Sequence, residues 1–220
     1  GNRQVTTLWV KVSYPFIKRS SRVYIRYSYS YDNRDSDFQN NLNSGNELVG
    51  GIEGAIPIGQ TDALVGFLEL GYVNANFADA YLVQDGIVTD DSNNAGTGVI
   101  RARLRYRMGP RTSMDLSIVK DLAFSTQGNY QDRWYAGYNA DYTLMRDLIL
   151  RGSAYFEWTQ PSANNTPSVT RFGFGVGARY PLSDMMDVFS DVNWNRRNTA
   201  QEGWGTHWFT WTIGVSLYLQ

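Results

Sequence analysis

The sequence predicts an all-β fold, an antiparallel up-and-down transmembrane β-barrel, and three observations predict it. Apolar and polar residues alternate with period two along most of the chain, short and long connections take turns between the alternating segments, and Tyr and Trp gather at the two ends of the apolar face. The chain has 220 residues and reads as one domain, 1–220. No cysteine is present, which excludes disulfides and thiolate metal sites. Lys+Arg 20 against Asp+Glu 21 gives a net charge of −1, so no nucleic-acid partner is expected. Mean hydropathy is −0.40, and no run approaches the roughly 18 apolar residues of a spanning helix, which excludes a helical membrane protein.

Eleven segments alternate. At 5–16 Lys11 takes the polar face and Tyr14 the apolar one. At 21–32 Arg26 opposes Tyr29 and Tyr31; 47–58 carries Glu53, and 63–77 sets Glu69 against Tyr72. The clearest is 97–109, with Ile100, Ala102, Leu104, Tyr106 and Met108 on one face and Arg101, Arg103, Arg105 and Arg107 on the other. Asp115 and Ser117 mark the polar face of 113–125. In 132–145 Arg133 and Asp141 oppose Trp134 and Tyr142, and in 148–160 Arg151 and Glu157 oppose Trp158. In 169–182 Phe172, Phe174, Val176, Ala178 and Tyr180 oppose Arg171, Gly173, Gly175, Gly177 and Arg179. Asp187 and Asp191 oppose Trp194 in 186–197, and 206–219 has the apolar face Phe209, Trp211, Ile213, Val215, Leu217 and Leu219.

Short turns are expected at 17–20, 59–62, 109–112, 145–147 and 183–184, and longer loops at 33–45, 79–97, 125–131, 160–168 and 198–205. Short periplasmic turns and longer extracellular loops give a membrane barrel this order. Within 79–97, Tyr81–Val83 and Ile87–Thr89 flank Asp85-Gly86 as a small hairpin too short to span a bilayer. If the last strand ends in the periplasm, Tyr14, Tyr106, Tyr142 and Tyr180 form a periplasmic aromatic girdle. Tyr29, Tyr31, Tyr72, Trp134, Trp158, Trp194 and Trp211 then form the extracellular one. The alternative, aromatics of a soluble β-core, gives no reason for placing them at both ends.

The end of the chain, Thr212-Ile213-Gly214-Val215-Ser216-Leu217-Tyr218-Leu219, resembles the outer-membrane β-signal, though Leu219-Gln220 stands where an aromatic is usual. That resemblance implies the barrel-assembly machinery of Gram-negative outer membranes as a partner in biogenesis. Eleven strands is odd, whereas single-chain bacterial barrels have an even count. The expectation is therefore 11–12 visible strands of a larger barrel, lacking at least one N-terminal strand, with that segment or another chain at the seam. A split or miscounted strand is the alternative.

Alternation turns Arg26, Arg101, Arg103, Arg105, Arg107, Arg151, Arg171 and Arg179 towards the lumen, together with Asp115 and Glu157. These ten are the candidate pore-lining residues. The four-arginine ladder covers roughly 20 Å at about 3.3 Å per residue. Guanidinium forks suit carboxylate and phosphate, so a water-filled lumen of this kind favours anions. The competing reading pairs the ladder with lumen acids in a closed, salt-bridged barrel. No catalytic residue, cofactor or metal site is predicted. His207, the only histidine, has no partner at a telling spacing and reads as a rim residue. Gly173, Gly175 and Gly177 lie on a strand rather than a strand-to-helix turn, where they relieve crowding or permit curvature. Asp32, Asp35, Asp37, Asp90 and Asp91 lack calcium-loop spacing and read as solvated loop acids.

The whole chain looks like a Gram-negative outer-membrane β-barrel. Tyr142-Thr-Leu-Met-Arg-Asp-Leu-Ile-Leu-Arg-Gly-Ser-Ala-Tyr155 and Val176-Gly-Ala-Arg-Tyr-Pro-Leu-Ser-Asp-Met-Met-Asp-Val188 resemble hairpins of β-barrel porins found with exopolysaccharide export systems. That resemblance implies an anionic saccharide as cargo and outer-membrane lipids as surroundings, and transfers no functional residue. The expected function is a porin-like outer-membrane channel passing anionic solutes or saccharides through an Arg-lined lumen. The alternative is a non-conducting structural barrel that anchors a partner, with an outer-membrane enzyme a more remote class.

Overall fold

The computed structural model describes all residues except 1–2, 17–19, 35–40, 59–61, 78–80, 85–86, 91–93, 125–129, 146, 164–165, 184, 201–204 and 218–220. Period-two alternation becomes two faces because successive side chains on a strand point to opposite sides. Thirteen strands form: β1 Arg3–Phe16, β2 Ser21–Arg34, β3 Asn41–Ile58, β4 Asp62–Asn76, β5 Tyr81–Gln84, β6 Ile87–Asp90, β7 Asn94–Met108, β8 Thr112–Phe124, β9 Tyr130–Thr143, β10 Ile149–Pro161, β11 Val169–Ser183, β12 Met186–Thr199 and β13 Gly205–Leu217. Eleven of them make one sheet in the order β1-β2-β3-β4-β7-β8-β9-β10-β11-β12-β13. Every pairing is antiparallel and up-and-down. β5 and β6 pair only with each other, as the small hairpin expected in the longest connection; its Asp85-Gly86 turn lies outside the described residues. No helix occurs among the described residues.

All eleven expected strands are present. The largest difference is at β3, which starts at Asn41 rather than near 47. Residues 41–46 have loop-like composition, yet Asn41 through Asn46 pair with Arg34 through Tyr29 of β2. Cross-strand context here overrides weak β-propensity. Lengthened strands also shorten the loops, so that 125–129 is no longer than 144–148. The alternation of short and long connections is thus weaker than expected and is carried mainly by 77–93 and 162–168. The turn 109–111 opens on Gly109 at φ 63°, a left-handed conformation that glycine adopts without steric cost.

Register carries the two faces across the sheet, with one irregularity between Pro181 and Ser183 at the β11–β12 turn. Arg101 stands beside Glu69 and Val119, Asp115 beside Arg105 and Asn139, and Arg151 beside Asp141 and Gly177. Burial is inverted relative to a water-soluble β-protein. Glu69, Asp121 and Asp187 on the polar face are buried, whereas Val176 is 65% and Ile213 67% exposed on the apolar one. Phe174 and Val215 are also exposed there, and Ile100 and Leu104 are half-buried on the same side. Among the exposed large apolar side chains of the described strand residues, only Trp9, Val65 and Trp208 belong to the polar face.

The sheet curls with its polar face inward. Phe77, just past β4, stacks on Tyr130 of β9 with ring centroids 5.5 Å apart, although β7 and β8 separate the two strands. On a flat sheet that separation is about 14 Å at roughly 4.8 Å per strand. A cavity of about 320 Å³ beside this stack is lined jointly by Thr7 of β1, Ser28 of β2, Glu47 of β3 and Leu122 of β8. Gly173, Gly175 and Gly177 relieve crowding, as expected. A Cβ on Gly173 would come within 2.7 Å of the Tyr155 ring and 2.6 Å of Asn195 Oδ1, so the glycine row is the floor on which neighbouring side chains lie.

The sheet is not closed. β1 and β13 are its edges and do not pair, in keeping with the seam expected from an odd strand count. Both edge strands are exposed over most of their length, with Val12 at 71% and Phe209 at 71%. The residues of the expected aromatic girdles all sit on the apolar face, but not all at its ends. Trp211 lies halfway along β13, where its indole N–H donates to Ser190 Oγ at 3.0 Å. It belongs to the middle of that face, its polar atom satisfied by a neighbouring strand. Of the terminal motif, residues 218–220 lie outside the described residues.

Candidate functional site

The ten lumen candidates share the inward face, as the registers above require. Their partners differ from a free ladder. Asp115 sits under the middle of the arginine ladder. Arg103 donates to it through Nε and Nη2 at 3.0–3.2 Å, and Arg105 does so at 3.2–3.3 Å. The reason is register: Asp115 lies directly opposite Arg105 and diagonal to Arg103, and both positions are within reach of a long side chain. Arg101, at the long-loop end of the ladder, forks onto Glu47 with Nη1 and Nη2 at 2.9 and 2.6 Å and lies 3.5 Å from Glu69. Arg107, at the short-turn end, makes no ion pair among the described residues.

Arg101 belongs to a network crossing β1, β2, β3, β4 and β7. Arg26 donates to Glu47 and Glu69 at 3.1 Å each, Tyr24 donates its hydroxyl to Glu69 at 2.7 Å, and Lys11 donates to Glu53 at 2.7 Å. The Lys11 ammonium also lies 3.7 Å from the Tyr24 ring centroid. Val49 and Val99, each 1% exposed, wall in this cluster. Arginine suits the arrangement because its planar fork serves two carboxylates at once. Further round the sheet Arg133 forks onto Asp121 at 3.0 Å, Arg171 meets Glu157 at 3.3 Å, Arg151 donates to Asp141 at 3.0 Å, and Arg179 pairs with Asp187.

Sequence reasoning missed Glu47, Asp121 and Tyr24. Parity would have found them. Glu47 shares spacing with Glu53, Asp121 with Asp115, and Tyr24 with Arg26.

The ladder opens into a recess of about 880 Å³ at the short-turn end of β7 to β10. Arg103, Arg105, Arg107 and Arg151 line it, with Asp115, Asp141, Ser113 and Asn139. Four guanidinium groups against two carboxylates leave it with a surplus of two positive charges. Such a site attracts oxyanions through Coulomb focusing and directional N–H donors.

His207 lies on the outward face opposite Arg196. Asp35, Asp37 and Asp91 fall outside the described residues; Asp90 ends β6, and Asp32, expected in a loop, is instead a strand residue of β2 paired with Val5 and Asn43. Among the described residues no cluster of carboxylates and histidine could hold a metal ion. No protein-family model matches the chain, and no curated protein matches it.

Proposed function

We propose that this chain forms the wall of an outer-membrane β-barrel in a Gram-negative bacterium and that the barrel passes anionic solutes or saccharides. The observation that carries this reading is the inverted burial: aliphatic and aromatic side chains outward on every strand, charged networks inward. Water penalises so continuous an apolar face, since soluble monomers rarely expose more than a few hundred Å² of it. Hydrocarbon accepts it, and strands carry their backbone hydrogen bonds across a bilayer only when every edge is paired.

The edges bear on the partner. Eleven consecutively antiparallel strands leave β1 and β13 running the same way. Antiparallel closure needs an odd number of further strands, supplied by this polypeptide or by another. A second copy inserted the same way presents β1 to β13 in parallel and does not satisfy this requirement.

A second reading has its own support. Arg26, Arg101, Arg103, Arg105, Arg133, Arg151, Arg171 and Arg179 all face carboxylates, the arrangement of a salt-bridged, non-conducting barrel that anchors a partner. Planar-bilayer recording separates the two. The conduit reading expects stable steps with anion preference, and Arg103→Ser with Arg105→Ser lowers that preference, most clearly at low salt where screening is weak. Absence of conductance from protein that has inserted and folded supports the anchor.

A further inference from the structure

We propose that the recess at the short-turn end of β7 to β10 is a binding site for a small doubly charged oxyanion, with Arg107 and Arg151 as its principal donors. The inference rests on the reading of the inward face as a water-filled lumen and adds a ligand class and a location to it.

The case starts from what each guanidinium already does. Arg103 and Arg105 both spend Nε and Nη2 on the single carboxylate of Asp115. Arg151 spends only Nε, on Asp141. Arg107 spends nothing on any carboxylate among the described residues. Of five N–H groups each, Arg107 therefore keeps five and Arg151 four, against three on each of Arg103 and Arg105, and the two better-supplied side chains stand on different strands of the recess, β7 and β10.

Charge selects the ligand's valence. With two positive charges uncompensated, one dianion neutralises the site and a monoanion leaves it half-compensated. Guanidinium donors in planar forks match carboxylate and phosphate oxygens and suit the spherical chloride ion less well. The volume of about 880 Å³ admits a small organic dianion with its water, since pockets for small molecules span about 300–1,000 Å³. Position adds to this. The recess lies beside the short turns and away from the paired Arg26–Glu47–Arg101–Glu69 cluster, and the carboxylates at or beside it are Asp115, Asp141 and, next to Arg151, Asp191.

The test uses the full chain folded in detergent micelles, titrated calorimetrically at constant ionic strength with succinate, inorganic phosphate at a pH where it is a dianion, acetate and chloride. Saturable binding of one dianion per chain is expected, about tenfold or more tighter than acetate. Phosphate against succinate tells whether one compact group or two separated carboxylates fits better. Arg107→Gln is expected to weaken dianion binding by about fivefold or more, Arg107→Lys to restore part of it, and Arg171→Gln, outside the recess, to leave it unchanged. Arg107 supports no ion pair among the described residues, so its replacement leaves none of their carboxylates unpartnered, and unchanged far-UV dichroism verifies that the variant folds. Equal affinity for acetate and succinate, or an unaffected Arg107→Gln, overturns the site. Dianion binding in a protein that never conducts overturns the conduit while leaving the site standing. Anion-selective conductance without dianion binding does the reverse.

Discussion

Glu69 is only 4% exposed, accepts from the Tyr24 hydroxyl and the Arg26 guanidinium, and has the Arg101 guanidinium 3.5 Å away. Burying a carboxylate is costly unless hydrogen bonds and opposite charges surround it, and removing one side of such a cluster leaves the other side desolvated and under-compensated. Glu69→Ala is therefore expected to destabilise the folded protein by about 3 kcal/mol, the lower end of the range for breaking a buried pair. Urea unfolding followed by tryptophan fluorescence measures it. Glu69→Gln, which keeps an acceptor for Tyr24, is expected to cost less. A loss below about 1 kcal/mol for the alanine variant would mean that water reaches the cluster. At this scale the sequence was informative about faces and silent about partners. Period two places Glu69, Arg26 and Arg101 on one side, but which carboxylate each fork meets depends on the stagger between strands. That stagger made Asp115 the partner of both Arg103 and Arg105 and left Arg107 to the recess.

The strands were legible because one physical rule repeats in each of them. β11 shows its strength: Phe174, Val176 and Ala178 face outward while Gly173, Gly175 and Gly177 leave floor for Tyr155 and Asn195. Where the rule weakens, so does the reading. The start of β3 is hidden by an Asn-Leu-Asn-Ser-Gly-Asn run whose extended shape comes from pairing with β2. Lys120 breaks the outward pattern of β8, and its environment explains how. Its ammonium donates to Thr97 Oγ1 at 3.0 Å and lies 5.5 Å from the Trp134 ring centroid, so the aliphatic stem covers apolar surface while the charge reaches the rim. The middle of β11 tests the face assignment. Val176→Arg is expected to cost about 2–4 kcal/mol in equilibrium folding into lipid vesicles, the penalty for a cation near the midplane. Thr212→Arg, exposed on the inward face opposite Asp191, is expected to stay within about 0.5 kcal/mol, as exposed substitutions usually do. Equal costs for the two variants would remove the distinction between a lipid face and a lumen face.

The odd strand number is a property of the whole molecule that no single strand reveals. Each antiparallel step reverses direction, so ten steps return β13 to the direction of β1. Direct closure then requires a parallel seam, whereas every other pairing in this sheet is antiparallel. An open seam in hydrocarbon leaves two rows of backbone N–H and C=O groups without partners, and each such group costs several kcal/mol. An intervening strand removes both problems and sets a distance. Two strand spacings put β1 and β13 at about 9.6 Å, beyond the roughly 7 Å Cα separation that a disulfide tolerates. The chain contains no cysteine, so introduced pairs are unambiguous. Cysteine at Val10 or Val12 of β1, combined in turn with cysteine at Trp211 or Ile213 of β13, is expected to resist oxidation to an intrachain disulfide in membrane-folded protein. Ser190 and Ile213, register partners on β12 and β13, supply the control pair that should oxidise. Rapid cross-linking of any β1–β13 pair would place the edges side by side and demand a parallel closure. Its absence, in protein whose sheet is protected from protease, would leave room at the seam for the strand that parity calls for.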